Sequence, residues 1–256
     1  MLRKNNVIVF ITCILLVAIL CVITSVTGSA VVFTGGATKL LPIYSVERND
    51  NKISISFDCA YGVDYTDKLL QILNEYNVKC TFFAVEFWVD KYPEYAKKIV
   101  DNGHELQTHS ATHPKMSKLS KQEIVNELTT SINKIESVTG KKVTLFRAPY
   151  GDYDNLVIET ASEMGLYTIQ WDVDSIDWKD ISQKEIADRV ISKTKSGSII
   201  LCHNNGLNTS KALPSILARL KEKGFEFVKI SDLIYKQNYQ INAFGKQIPN
   251  AWNTEV

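Results

Sequence analysis

Polar side chains of the kinds that carry out hydrolysis follow several apolar runs of this sequence, each where a strand is predicted to end. Asp58 closes a run in which Ile53, Ile55 and Phe57 alternate with serines. The other residues at such positions are His109, His113, Arg147, Asp172, Asp174, Asp177 and His203. A single Asp there is usually a turn residue, but the recurrence, which includes three of the four histidines, predicts a functional site.

The two histidines of the segment THSATHP, His109 and His113, are four residues apart. Two imidazoles at this spacing reach one metal ion if the segment makes a single helical turn. The alternative is a pair of histidines on a surface loop. Two histidines with one carboxylate form a common catalytic zinc set that leaves positions open for water and substrate. A carboxylate from another strand end therefore favours a metal site.

The elements that must position these residues alternate regularly from residue 52 onward. Strands are predicted at 53–58, 79–85, 104–107, 143–147, 166–171, 198–203 and 225–230. Helices are predicted at 64–76, 93–103, 120–140, 155–165, 182–197 and 211–224. Such alternation implies parallel strands with helical crossovers, hence an α/β barrel or a doubly wound sheet. In a barrel, functional residues lie at the carboxyl ends of the strands, where these side chains would meet.

The N-terminus carries an uncharged apolar segment at 7–26, preceded by Arg3 and Lys4. Roughly twenty apolar residues are needed to cross a bilayer as a helix, and preceding positive charges predict a cytoplasmic N-terminus. We expect a membrane anchor with the remaining chain outside the cytoplasm. The alternative is a cleaved signal peptide, for which the small residues up to Ala30 offer a cleavage site, and then the domain is secreted.

Composition limits the remaining classes of function. The formal net charge of +1 gives no electrostatic footprint for nucleic acid, which excludes that partner. The length of 256 residues suits one large domain with appendages, and it leaves the oligomeric state open. Outside the apolar segment the cysteines are Cys59, Cys80 and Cys202, whose spacing fits no zinc-ligand pattern. The predicted divisions are an anchor at 1–27, a linker at 28–50, the main domain at 51–236 and a C-terminal tail at 237–256.

Five short motifs, SFDCAYG, HSATH, RAPYG, DSIDW and LCH, occur in this order between residues 52 and 234. In this order they resemble the polysaccharide deacetylases with a NodB-homology domain. The anchor and the Asp-x-x-aromatic-Gly form of the first motif are most similar to the sporulation-associated (PdaB-type) branch. The resemblance implies a distorted (β/α) barrel of about seven parallel strands. It also implies metal-dependent removal of acetyl groups from N-acetylated sugars of a cell-wall glycan.

The resemblance further implies a role for each matching residue. Its catalytic residues are Asp58 as general base, His203 as general acid, Arg147 holding the base or a neighbouring acid, and Asp177 orienting or tuning the acid. Its metal ligands are His109 and His113, for zinc first and for cobalt or manganese as alternatives. Its substrate-binding residues are Tyr150, through a backbone N–H, and Trp178 and Leu201, which line the acetyl pocket.

The sequence departs from the family at Cys59, where most members have a second Asp as third metal ligand. Three interpretations are open. Asp58 itself, or a nearby acid such as Asp64, completes the metal site. The Cys59 thiolate binds the metal, since zinc accepts sulfur, although a small buried thiol is the simpler expectation. Or metal binding is weak and the protein is a non-catalytic relative.

Two other functions are compatible with the sequence. The first is a glycan-binding module that keeps the groove without turnover, which the missing Asp motivates. The second is a glycoside hydrolase, which needs two carboxylates across one bond. Asp58 with Asp174 or Asp177 would supply them, but the histidines would then have no role.

Overall fold

Seven parallel strands form a curled main sheet in the computed structural model, which describes residues 39–250. In chain order the strands are β1 (Ser45–Val46), β2 (Lys52–Cys59), β3 (Thr81–Ala84), β4 (Glu105–Thr108), β5 (Leu145–Phe146), β6 (Tyr167–Thr168), β7 (Val173–Asp174), β8 (Ile199–His203), β9 (Glu226–Phe227), β10 (Tyr239–Ile241) and β11 (Lys246–Pro249). The main sheet has the order β6-β5-β4-β3-β2-β8-β7, and β9 pairs with the start of β2. The predicted distorted barrel is therefore confirmed as a curled half-barrel.

Helices cover the outer face of this sheet, as parallel strands require. In chain order they are α1 (Thr66–Glu75), α2 (Glu86–Lys91), α3 (Pro93–Asp101), α4 (Lys121–Thr139), α5 (Asn155–Glu163), α6 (Gln183–Lys193), α7 (Thr209–Glu222) and α8 (Ile230–Leu233). The longest, α4, begins with a reciprocal capping box between Ser120 and Glu123 and ends at Gly140 in the left-handed conformation. The sequence did not predict α2, which continues directly from β3.

The predicted fifth strand at 166–171 is wrong in its extent. Only β6 forms there, and the chain then leaves the sheet before it returns as β7. The cause is the segment at 43–46, which includes β1 and pairs with the chain after β6 and before β8. Ile43 pairs in parallel with Ile169, and Val46 donates its N–H to the oxygen of Gly197 at 2.9 Å. Gly197 has φ +77°, and a Cβ there would lie 1.7 Å from the Val46 oxygen, so this close approach requires glycine.

A second, three-stranded sheet has the order β1-β11-β10. Parts of the predicted linker and of the predicted tail are thus strands, while the division into anchor, linker, domain and tail stays a prediction. The predicted membrane-spanning segment at 7–26 lies outside the described residues. Between residues 39 and 250, no helix is both long and apolar enough to span a bilayer.

The two faces of β2 determine which side chains reach the site. Ile55, Phe57 and Cys59 belong to the apolar cluster that also contains the buried side chains of the helices. None of the three is exposed. Ser56 and Asp58 alternate with them and point to the inside of the half-barrel, as successive side chains of a strand do. Asp58 therefore enters the mouth of the barrel, whereas Cys59 packs away from it.

Candidate active site

A cavity of about 640 Å³ opens at the carboxyl ends of the parallel strands, where such folds place their functional residues. Most of the predicted site residues line it: Asp58, His109, His113, Tyr150, Trp178, Leu201 and His203. The other two, Arg147 and Asp177, are buried and each contacts one of these residues. The structure therefore brings the whole predicted set together.

The carboxylate of Asp58 is paired with the buried guanidinium of Arg147. The Nη1 group of Arg147 donates to Asp58 Oδ1 at 2.7 Å. Burial raises the pKa of Asp58, but the charge and the hydrogen bond of Arg147 are the main effects that outweigh it, and the net shift is downward. Asp58 is therefore ionised at neutral pH and keeps its second oxygen, Oδ2, 3.6 Å from His109 Nε2.

Arg147 is fully buried and is held by aromatic rings as well as by Asp58. Its guanidinium carbon lies 4.1 Å from the ring centroid of Phe83 and 5.6 Å from that of Trp171. Its Nη2 group donates to the main-chain oxygen of Gln170 at 3.3 Å. These rings and the carbonyl, which the sequence did not point to, stabilise a buried cation and fix its orientation.

The two histidines of the HSATH motif face each other in the cavity. His109 Nδ1 lies 2.8 Å from the main-chain oxygen of Arg147. Because a carbonyl only accepts, this nitrogen carries the proton and Nε2 keeps a lone pair. His113 Nε2 lies 3.3 Å from His109 Nε2. Burial lowers the pKa of both imidazoles, that of His113 to about 4, so both are neutral near pH 7.

These two nitrogens fit adjacent ligand positions of one divalent ion, since zinc–nitrogen bonds are about 2.0–2.1 Å long. The hydrogen bond that orients His109 from behind is typical of metal-binding histidines. A third protein ligand is lacking: within residues 39–250, no group of three His, Cys, Asp or Glu side chains has the geometry of a metal site. The side chains present therefore fit a two-histidine site and not the three-ligand set that the family resemblance implies.

Helix α4 positions the loop that carries these histidines, through a residue that the sequence did not reveal. The carboxylate of Glu127 accepts from the N–H groups of Ala111 and Thr112, at 2.9 and 2.8 Å, and from the Thr112 hydroxyl at 2.7 Å. Ser110 Oγ accepts from the N–H of His113 at 3.1 Å. The loop is therefore closed by side chains and does not form the helical turn that the spacing suggested.

On the other side of the cavity, His203 and Asp177 form a second pair. Asp177 Oδ1 lies 2.7 Å from His203 Nδ1, and its Oδ2 accepts from the N–H of His203 at 2.8 Å and from the Thr209 hydroxyl at 2.6 Å. Burial lowers the pKa of His203, but the hydrogen bond and charge of Asp177 outweigh it, and the net shift is upward. A Cβ at Gly206 would lie 2.0 Å from Thr209 Oγ1, so glycine is needed for this packing.

The substrate-binding candidates stand around these pairs. The ring of Tyr150 meets the edge of His113 with 4.5 Å between centroids, and Leu201 on β8 is nearly buried. Trp178 is 57% exposed at the mouth of the cavity. Left-handed backbone conformations concentrate here, at Ser110, His113, Tyr150, Ile176 and Asp180. Non-glycine residues adopt this conformation at a cost, and such strain is commonly found at functional sites.

Cys59 and Asp64 do not line the cavity. Cys59 is fully buried among apolar side chains, its Sγ lies 3.9 Å from the Phe57 oxygen, and burial raises the pKa of its thiol well above the ordinary value. Because the Cys59 side chain packs into the apolar cluster and away from His109 and His113, the interpretation of Cys59 as a metal ligand loses support. Asp172 is also structural, because its carboxylate accepts from Ser198 and from Ile199 near the start of β8.

Comparison with known proteins agrees with this geometry. A sequence profile described as polysaccharide deacetylase matches residues 45–169. A peptidoglycan-N-acetylglucosamine deacetylase of Bacillus cereus is 33% identical over 196 residues, which cover 75% of this chain and 92% of that relative. The chain belongs to the polysaccharide deacetylase family. It spans 60% of the length of an uncharacterized relative, YlxY of Bacillus subtilis, and 41% of PgdA, a peptidoglycan-N-acetylglucosamine deacetylase of Listeria monocytogenes, each 34% identical. The alignments cover 75% and 78% of this chain.

Solved structures of polysaccharide deacetylases include both active and inactive neighbours. Wild-type BA3943 of Bacillus anthracis, described as a CE4 family pseudoenzyme, has a TM-score of 0.73 and 36% identity, covering 75% of this chain and 68% of that one. A BA3943 mutant with restored enzymatic activity has 37% identity at the same TM-score, covering 75% and 70%. The peptidoglycan N-acetylglucosamine deacetylase Bc1960 has 29% identity and a TM-score of 0.73, covering 75% and 92%.

Proposed function

We propose that this chain is a metal-dependent N-deacetylase that acts on a cell-wall glycan outside the cytoplasm, in the sporulation-associated (PdaB-type) branch of its family. The N-terminal segment at 7–26 would tether it to the membrane. One observation carries the proposal: an ionised carboxylate and a raised-pKa imidazole line the same cavity, together with two metal-competent histidines. Hydrolysis of an acetamide needs this combination of a base, an acid and an electrophile.

The chain's own residues divide the work of amide hydrolysis. Asp58, kept ionised by Arg147, accepts the proton of the attacking water. His203, whose Nδ1 is fixed by Asp177, directs its Nε2 toward the substrate and donates the proton that the departing amine requires. A divalent ion held by His109 and His113, zinc before cobalt or manganese, would activate the water and polarise the acetyl carbonyl.

Substrate contacts follow from the same arrangement. Trp178 and Leu201 would line the acetyl pocket beside His203, and the backbone N–H of Tyr150 would face the developing oxyanion. The glycoside hydrolase alternative needs Asp58 with Asp174 or Asp177, and it gives the histidines of the cavity no role. Asp174 lines the cavity and accepts from the N–H of Ile176 at 2.7 Å, but the other two carboxylates are already committed. Asp58 is held by Arg147, and buried Asp177 uses both oxygens to hold His203 and its helix.

Acetate release from peptidoglycan or chitooligosaccharides tests the proposal directly. The assay compares the wild-type chain with His109→Ala, with Zn²⁺ or Co²⁺ added to both. We expect release by the wild type and a loss of two orders of magnitude or more in the variant, whose folding is verified by its thermal unfolding. Equal release by both proteins would refute the proposed role of the histidine pair.

A second candidate function is glycan binding with little or no turnover. It is supported by the absence of a third metal ligand in the described residues and by the similarity to a family pseudoenzyme. This alternative expects no acetate release by the wild type and glycan binding that survives His203→Ala. It is rejected if the wild-type chain releases acetate at a rate that depends on added metal.

A further inference from the structure

The aromatic–glycine turn after β2 has no part in the chemistry described above. Its aromatic residue, Tyr61, is 63% exposed and lines the cavity. An aromatic ring left in water forgoes hydrophobic stabilisation that burial would give. Among the described residues, the large apolar or aromatic side chains with comparable exposure are Tyr61, Tyr150, Trp178, Leu207 and Phe244. Since three of these five are aromatic rings on one cavity, the exposed rings mark a binding surface.

Hydrogen bonds fix the backbone of the turn at Gly62, next to Tyr61. The main-chain oxygen of Gly62 accepts from two buried donors, Trp88 Nε1 at 2.8 Å and Asn204 Nδ2 at 3.0 Å. Gly62 itself has φ +61°, a left-handed conformation that favours glycine. An aromatic ring on a fixed backbone loses little conformational entropy when it binds a ligand.

Tyr61 stands on the histidine-pair side of the cavity. Its ring centroid lies 6.4 Å from that of His113 and 5.9 Å from that of Phe87, which supports it from α2. Trp178 follows Asp177, the partner of His203, on the proton-donor side. A ligand that places its acetamide between the two sides therefore has an exposed ring beside each end.

We infer that Tyr61 stacks on a pyranose ring adjacent to the sugar whose acetamido group lies between the two sides of the cavity, so the ligand is an oligosaccharide of at least two rings. This inference rests on the proposed function. The apolar face of a pyranose packs on an aromatic face, and exposed rings on a preformed cavity provide that surface. Tyr61 is a substrate-positioning residue that selects chain length, and it takes no part in bond breaking.

The test compares binding of chitotetraose and of monomeric N-acetylglucosamine by wild type, Tyr61→Ala and Tyr61→Phe. Titration calorimetry measures the affinity for chitotetraose. Displacement of bound chitotetraose measures the affinity for monomeric N-acetylglucosamine. Phe244→Ala is the matched control, because Phe244 is 87% exposed and does not line the cavity. We expect Tyr61→Ala to weaken tetramer binding roughly tenfold relative to monomer binding, whereas Tyr61→Phe and the control stay within about twofold of wild type.

Equal losses for tetramer and monomer in Tyr61→Ala, or no loss for the tetramer, would overturn the inference. So would a wild-type chain that binds neither chitotetraose nor peptidoglycan fragments. Because the readout is binding, its failure is distinguishable from failure of the proposed function. Acetate release with an unchanged tetramer preference in Tyr61→Ala rejects the inference alone. A tetramer preference that depends on Tyr61 without acetate release rejects the enzyme proposal alone.

Discussion

Replacing Arg147 with methionine removes the guanidinium that compensates the buried charge of Asp58. Arg147 is fully buried, Asp58 is 6% exposed, and the two groups are 2.7 Å apart. Methionine fills much of the same space, so the main loss is charge and hydrogen bonding. Breaking a buried ion pair from one side costs about 3–5 kcal/mol, because the remaining charge is left uncompensated.

The expected change is large enough to measure by thermal unfolding. One kcal/mol shifts the Tm of a domain of this size by about 2–4 °C, so the variant's Tm should fall by roughly 6–20 °C. The matched control is Lys134→Met, which breaks an ion pair of similar length with Asp90, 2.5 Å, at the exposed surface. Exposed ion pairs contribute about 0–1 kcal/mol to the free energy of unfolding, so the Tm of the control should change little.

A double variant separates the charge effect from lost packing. Arg147→Met combined with Asp58→Asn removes both charges, and we expect it to recover part of the stability lost in the single variant. Acetate release should be abolished in either case, because the base is mispositioned or absent. A Tm for Arg147→Met within the range of the surface control, or no recovery in the double variant, would refute the argument that the pair is a buried charge system.

Further predictions follow from other contacts. Gly197→Ala should lower the free energy of unfolding by denaturant about 1–3 kcal/mol more than Gly165→Ala does. Both residues have φ +77°, but only Gly197 lacks room for a Cβ. Equal losses of stability would contradict the close approach of β1 to Gly197. Burial, with a smaller contribution from a lysine, lowers the pKa of His104 to about 4, so its contribution to stability is complete above pH ~6.5 and is lost as the pH falls toward 4. His104→Gln should flatten that slope by up to about 3 kcal/mol in unfolding free energy, and an unchanged slope would contradict the assignment. Asp177→Asn should lower the pKa of His203 in an NMR titration and move the high-pH loss of acetate release to lower pH; an unchanged pKa would show that the pair does not control the acid.

Periodicity was sufficient for the elements with strong local signals. The alternation in β2 and the capping box of α4 each specify an element without reference to the rest of the chain. The strands β5 and β6 lie within the predicted strands at 143–147 and 166–171, but their short extent and the existence of β7 were not predicted, because these features depend on pairing with neighbouring strands. The same holds for β1, whose place at the open edge depends on Gly197 and on residues nearly two hundred positions away.

For the site, position at strand ends was the informative signal. It grouped Asp58, Arg147 and His203 before any distance was known. Residues that act through tertiary contacts, such as Glu127 below the histidine loop, carry no local pattern and were found only in the structure. The orientation of Cys59 was available in the sequence, because strand alternation places it on the face of the preceding apolar residues and not on that of Asp58.

We propose that His109 and His113 form a metal centre without the thiol of Cys59. An anomalous difference map from crystals soaked in zinc tests it most directly. We expect one peak within bonding distance of both Nε2 atoms, with no sulfur ligand. A peak bound to Cys59 Sγ, or a zinc-soaked crystal with no peak at the histidine pair, would contradict it.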